Sequence, residues 1–195
     1  MAPSMLSHIH RYLFQDLDQA VYAPGIYKAE QLVEREYILN GDSVPYGAPE
    51  FIEKTLAMFF AAEAGHVYST ALTGSDLDNL ASFISHIWQV HPFKEGNTRT
   101  VAVFAELYLD NVGFDIDNGP FADNARYFRN ALVRANYRNA KAVIAPDLTY
   151  LVRFLDNAAN GASHELRSRD LVCEALFAAP PLIRNMPRTT AIEKQ

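Results

Sequence analysis

Cysteine occurs once in the 195 residues, at position 173. A single thiol excludes an internal disulfide and a thiolate zinc cage, and its setting in the apolar stretch "RDLVCEALF" marks Cys173 as a packed structural residue. No apolar run approaches the roughly 18–20 residues of a membrane span. The N-terminus lacks a basic segment followed by an apolar one, the pattern of a secretory signal. Positive charge is also short: 17 Lys and Arg against 23 Asp and Glu leave a net charge of −6. With no Lys/Arg cluster, nothing marks a nucleic-acid or anionic-membrane footprint, so a bound phosphate would need a local pocket working against the global field. Cytoplasmic residence is the default expectation, and a protein delivered into another cell by a specialised apparatus would look the same. Internal repeats and low-complexity tracts are absent too.

What is present is core-forming material, with 49% apolar and 12% aromatic residues. Leu6, Ile9, Leu13 and Leu17 recur at helical spacing, with Tyr12 and Phe14 widening the stripe. His8 and His10 are two apart, hence on different faces and not a ligand pair. After Pro24-Gly25 the pattern changes: β-branched and aromatic residues flank "NGD" at Asn40–Asp42, which predicts a short exposed hairpin. Pro49 opens the next helix and Gly65 stops it. Ser75 and Asp78 have capping-box spacing before a helix that ends at His91, ahead of Pro92. Another helix resumes near Thr98 and ends at Gly113. Others start at Pro120, after a capping Asp147, and near Ser163, the last running to Phe177. The expectation is an all-α fold with one hairpin, in a single domain over 1–178 followed by a loosely ordered tail, 179–195.

The chemistry concentrates in "HPFKEGNTRT", His91 to Thr100. A tight loop runs directly into a helix, so the backbone N–H groups of Gly96, Asn97, Thr98 and Arg99 are candidates for an anion cradle. Gly96 permits close backbone approach to a ligand, the Asn97 side chain can add a donor, and Arg99 can reach a second phosphate. Glu95 beside phosphates needs a cation between them, and Mg²⁺ suits one carboxylate plus phosphate oxygens. His91 has the side chain suited to act as a base near neutrality. Phe93 is expected to point inward and fix the loop. Read as residues alone, the same stretch also fits an ordinary polar connection with a helix cap. A zinc site from His86, His91 and Glu95 fits poorly, since a spacing of five puts the two histidines about 140° apart on a helix. His66 and His164 read as surface residues.

"HPFKEGNTR" resembles the signature HxFx[D/E]GNxR of the Fic (filamentation induced by cAMP) family. "IHRYLFQDL" resembles the family's early helix, the region from Tyr22 to Glu50 its flap, and "YFRNALVRANY" a downstream helix, so the likeness covers roughly residues 6 to 170. It implies a helical core with a β-hairpin flap over the active site, and transfer of AMP from ATP to a Ser, Thr or Tyr hydroxyl of a target protein, releasing pyrophosphate. By the same resemblance His91 deprotonates the acceptor and Glu95 holds Mg²⁺. Gly96, Asn97 and Thr98 form the anion hole, Arg99 braces the distal phosphates, and flap residues Val33, Tyr37 and Ile38 pair with a target strand. Use of another nucleotide or phosphorylated donor, removal of AMP from a modified target, and a silent strand-binding module remain the alternatives.

Two positions depart from the fullest pattern, GNGRxxR. Thr98 stands where glycine is commonest, which also separates the chain from the Doc-like branch with lysine there. Ala102 stands where the second arginine would meet the γ-phosphate. Many relatives carry an inhibitory helix with [S/T]xxxE[G/N]; the best match here, Thr189 to Glu193, is followed by Lys194 and is expected to be inert. Restraint is then expected from a separate inhibitory protein, a missing N-terminal segment or oligomerisation.

Overall fold

The computed structural model describes residues 1–177. The tail 179–195, with the Thr189–Glu193 match, lies outside the described residues. In chain order the helices are α1 (Ser4–Phe14), α2 (Gln19–Tyr22), α3 (Ile52–Glu63), α4 (Gly74–Val90), α5 (Asn97–Asn111), α6 (Gly119–Asp123), α7 (Ala125–Asn136), α8 (Thr149–Asn160) and α9 (Glu174–Phe177). The all-α class holds.

Apolar side chains almost all the way round a helix require neighbours on every side, and α4 has them. Leu77, Leu80, Ala81, Phe83, Ile84, Ile87 and Trp88 are all buried, and α4 packs against α3, α5, α7 and α8. α5 lies between α4 and α1, and α7 and α8 close the far side. The connection between α4 and α5, six residues from His91 to Gly96, leaves this central helix directly.

Several element boundaries differ from expectation. The capping box before α4 uses Thr73 and Asp76, not Ser75 and Asp78; both pairs have the right spacing, and the register of α4's first turn selects between them. Pro49 opens a 3-10 turn, Pro49–Phe51, that leads into α3. The expected final helix is reduced to a 3-10 turn, Ser168–Leu171, and the four residues of α9. On α1 the inner face is Leu6, Ile9, His10 and Phe14, while Tyr12 and Leu13 face outward; Leu17, also exposed, lies beyond the end of the helix. His10, read from its spacing only as not forming a ligand pair with His8, is fully buried.

The expected β-hairpin flap is corrected. The chain does reverse at Asn40-Gly41, both in left-handed conformations (φ +53° and +80°), as "NGD" implied. No β-ladder forms between the limbs among the described residues. Beyond Glu36 N–H on Asp42 O and Gly41 N–H on Glu36 O at the reversal itself, their backbone bonds run to the body: Lys28 N–H donates to Pro92 O at 2.8 Å, Gly47 N–H to Gln89 O at 3.0 Å, and Cys173 N–H to Ile38 O at 2.8 Å. A 3-10 turn over Tyr37–Leu39 turns Ile38 and Leu39 into the core. Ile38 therefore anchors the flap rather than facing a target. Between residues 29 and 35 the chain bends at 29–30 and then runs without helix or strand, and no backbone group there pairs with another backbone group among the described residues.

Candidate active site

Ahead of Pro92, the chain leaves α4 through a left-handed His91 (φ +50°, ψ +60°), a conformation in which histidine is enriched among non-glycine residues. The turn throws the His91 imidazole sideways, between Tyr46, stacked at 3.9 Å, and the edge of Trp88 at 5.5 Å. Only 3% of the His91 side chain is exposed. Its Nε2 lies 3.1 Å from Glu34 Oε1, while its Nδ1 is buried without a hydrogen-bond partner among the described residues.

Asn97 closes the loop on itself. Its Oδ1 accepts from Phe93 N–H at 2.9 Å and its Nδ2 donates to Phe93 O at 2.8 Å, so both ends of the amide are spent inside the loop. The side-chain donor expected for a ligand is therefore not free. Phe93 points inward as expected, fully buried and stacked on the His10 ring at 3.9 Å. His10 in turn receives Gly25 N–H on Nδ1 at 2.9 Å and donates from Nε2 to Glu95 O at 2.9 Å. Those two bonds fix its tautomer. Burial lowers its pKa, consistent with a neutral ring.

Gly96 also has a different reason from the expected one. It adopts φ +78°, and a Cβ there would sit 2.5 Å from Phe14 Cζ. The close approach that demands glycine is thus by a ring of α1, not by a ligand. Thr98 faces the core, its Oγ1 accepting from Trp88 Nε1 at 3.0 Å. A glycine would leave that buried indole N–H without this acceptor, which gives the departure at Thr98 a structural cause.

α5 begins without a side-chain cap. The Gly96 N–H is taken by Glu95 Oε1 at 2.9 Å, and the next three, on Asn97, Thr98 and Arg99, are the first-turn donors with no intrahelical acceptor. They belong to a pocket of about 580 Å³ lined by Glu34, His91, Glu95, Arg99, Arg126 and Arg129, among others. Arg99 lies over the Phe14 and Tyr22 rings at 4.8 and 5.7 Å. Arg126 lies over Tyr37 at 5.0 Å. Neither guanidinium pairs with a carboxylate among the described residues, so both remain available to an anion. Arg129 does not: it forks onto buried Glu36 at 2.6 and 3.0 Å and lies 3.7 Å from Glu34. The Glu34 carboxyl is held below its ordinary range first by the hydrogen bond from His91, against desolvation.

Glu34, Arg126 and Arg129 are the participants that sequence reading missed. Arg126, Arg129 and Asn130 share a face of α7 by their spacing, but nothing local says what that face meets. Of the flap residues, Val33 is 75% exposed, and Tyr37 is anchored by Asn130 Nδ2 and Arg126 Nε on its hydroxyl.

No cluster of three or more His, Cys, Asp or Glu side chains able to cage a metal exists among the described residues. Glu95 is exposed in the pocket, and its second carboxylate oxygen has no protein partner among those residues. A lone carboxylate of this kind fits Mg²⁺ arriving with phosphate oxygens, not a site built from protein alone. The other histidines lie elsewhere: His86 stacks on Phe59, His66 pairs with Asp76, and His164 with Asp156. A wider cleft of about 840 Å³ beside Arg134, Tyr150 and Asp170 holds none of the motif residues.

With this geometry in hand, comparison with known proteins is specific. The Fic/DOC family model matches residues 2–109. The chain is 28% identical over 130 residues to the probable protein adenylyltransferase y4lH of Sinorhizobium fredii (strain NBRC 101917 / NGR234), covering 65% of this chain and 61% of that protein. The chain thus spans less than two thirds of that relative's length. Among solved structures, it superposes on the N-terminal FIC domain of Bep8, a VirB-translocated effector protein from Bartonella sp. 1-1C, with a TM-score of 0.58 at 18% identity, over 81% of this chain and 73% of that one. A FIC domain-containing signalling protein from Bacteroides thetaiotaomicron VPI-5482 matches with a TM-score of 0.59 at 15% identity, over 92% and 65%.

Proposed function

The chain belongs to the Fic/DOC family, and from that premise we propose that it transfers AMP from ATP to a hydroxyl group of a target protein. The observation that carries this reading is a histidine at the rim of a pocket whose floor is an uncapped helix N-terminus. Such a floor suits phosphate and the rim suits a base. The name of the Sinorhizobium relative, a probable protein adenylyltransferase, points the same way.

In the proposed reaction the acceptor oxygen forms a bond to the α-phosphorus of ATP while the bond to the bridging oxygen breaks. Pyrophosphate leaves, and the acceptor's proton passes to Nε2 of His91. The free N–H groups of Asn97, Thr98 and Arg99 would bind the phosphate oxygens without reorganising, because Asn97 and Thr98 are locked by Phe93 and Trp88. Arg99 and Arg126 would meet the distal phosphates, so that α7 supplies positive charge where Ala102 supplies none. Glu95 would hold Mg²⁺ carried in with the nucleotide, and the ion would offset phosphate charge. The segment 29–35, free of backbone–backbone bonds among the described residues, would offer its backbone to a strand of the target.

Incubation with α-labelled ATP and a lysate tests the reading: the wild type should label protein, and His91→Ala should lose about 10²–10⁴-fold while still binding ATP. Labelling by His91→Ala at the wild-type rate would remove His91 from the role of base.

A further inference from the structure

A base must present a lone pair to the proton it removes, and in this structure His91 cannot. Its Nε2 faces the pocket but sits 3.1 Å from Glu34 Oε1, an arrangement that requires a proton on Nε2. Its other nitrogen, Nδ1, is buried where no acceptor hydroxyl can reach. A carboxylate that oriented the base for catalysis would hold the far nitrogen and leave the pocket-facing one free. Glu34 does the reverse. It occupies the place on His91 that the acceptor hydroxyl needs.

The contact is held, yet it is not part of the core. Arg129 Nη2 lies 3.7 Å from Glu34 Oε2, but 37% of the Glu34 side chain is exposed. It rides on the segment 29–35, whose backbone makes no bond to other backbone among the described residues. The next carboxylate, Glu36, is fully buried and firmly bonded to the same arginine. One limb of the flap is therefore fixed at Glu36, and the part carrying Glu34 is left able to move.

We propose that Glu34 sets acceptor specificity: it blocks Nε2 of His91 against water and yields it only when a protein segment docks along residues 29–35. This rests on the transfer reading for its consequence, though the block itself does not. Water entering alone brings nothing to displace a charge-assisted hydrogen bond. A strand pairing with residues 29–35 acts directly on the backbone that carries the carboxylate. With Glu34 displaced and the Nε2 proton released to solvent or shifted to Nδ1, Nε2 accepts the proton of the docked hydroxyl as the oxygen–phosphorus bond forms. Without the block, the same step with water would release AMP and pyrophosphate.

The test compares wild type, Glu34→Ala and Glu34→Gln in two assays. Carbethoxylation of His91 by diethyl pyrocarbonate, followed by peptide mass spectrometry, reads access to Nε2 and needs no nucleotide. Release of AMP from ATP without any target reads hydrolysis. Glu34→Ala should raise both by about five- to tenfold, the population shift expected from one charge-assisted contact. Glu34→Gln, which can still accept from Nε2–H but without a charge, should fall between. Unchanged carbethoxylation would overturn the block, and faster carbethoxylation with slower AMP release would make Glu34 an orienting group instead. Faster carbethoxylation with no nucleotide turnover in any of the three proteins would uphold the block and overturn the transfer reading.

Discussion

Arg129 grips Glu36 with both arms of its guanidinium, at 2.6 and 3.0 Å, and Glu36 has no solvent exposure. The pair fastens the flap to α7 across 93 positions of the chain. Removing the arginine strands a buried charge. Arg129→Met should cost roughly 2–4 kcal/mol, somewhat below the loss of a fully enclosed pair because a third of Arg129 is exposed. Denaturant unfolding measures this, and adding Glu36→Gln to the variant should recover about half. A loss no larger than that of an exposed pair would show that Glu36 finds water in solution.

The metal assignment is tested with Glu95→Gln. The amide oxygen can still accept from Gly96 N–H, so the loop keeps its shape while the charge is lost. Mg²⁺-dependent ATP binding should weaken about tenfold, with partial recovery at high Mg²⁺. Calorimetry at graded Mg²⁺ checks it, and an unaltered metal dependence would exclude Glu95 from that role.

Lys28 should leave a signature in the pH dependence of stability. Only 6% exposed, it has its pKa pushed down from 10.5 to about 8 by burial, with Glu34 pulling the other way. The unfolded chain then holds this proton through a window, between about 8 and 10.5, in which the folded chain has released it. Folding stability from this group therefore rises with pH across that window and is poorest below it. Lys28→Met should be more stable than wild type at pH 7, by roughly 1–3 kcal/mol, with the gap closing as pH approaches 10. Paired unfolding curves measure it; a constant gap would mean that burial does not shift this lysine.

Thr98 offers an optical test, because Trp88 is the sole tryptophan. Thr98→Val keeps the shape and removes the acceptor for Nε1, 3.0 Å away. The loss should be about 1–3 kcal/mol with a changed emission spectrum, while Thr98→Ser stays close to wild type. Equal behaviour of Val and Ser would show that the hydroxyl is dispensable and that the departure from glycine has another origin.

Which of these contacts could be seen in the sequence follows from how far along the chain they reach. Proline after His91, glycine before Asn97 and the apolar period of α4 act within one turn, and they located the loop, its helix and an inward Phe93. The reversal at Asn40-Gly41 is equally local and was equally visible. Pairing between the limbs was not, because whether a backbone N–H meets the other limb or Gln89 depends on what stands beside it after folding. Glu34 reaches His91 across 57 residues and Arg129 reaches Glu36 across 93, and no local pattern marks either pair. Asn97 shows the subtler limit. From the sequence its amide reads as a donor to a ligand, and only the geometry at Phe93 tells that it staples the backbone instead.

His10 joins three separate stretches of chain: α1 that bears it, the flap root at Gly25 and the motif loop at Glu95. Each ring nitrogen serves a different stretch. Asparagine could imitate one nitrogen and glutamine the other, so no single replacement restores both. The first helix is thus a rivet through floor and lid at once. A fragment trimmed to begin after Phe14 would keep every residue of "HPFKEGNTR" and lose the rivet that sets those residues in place.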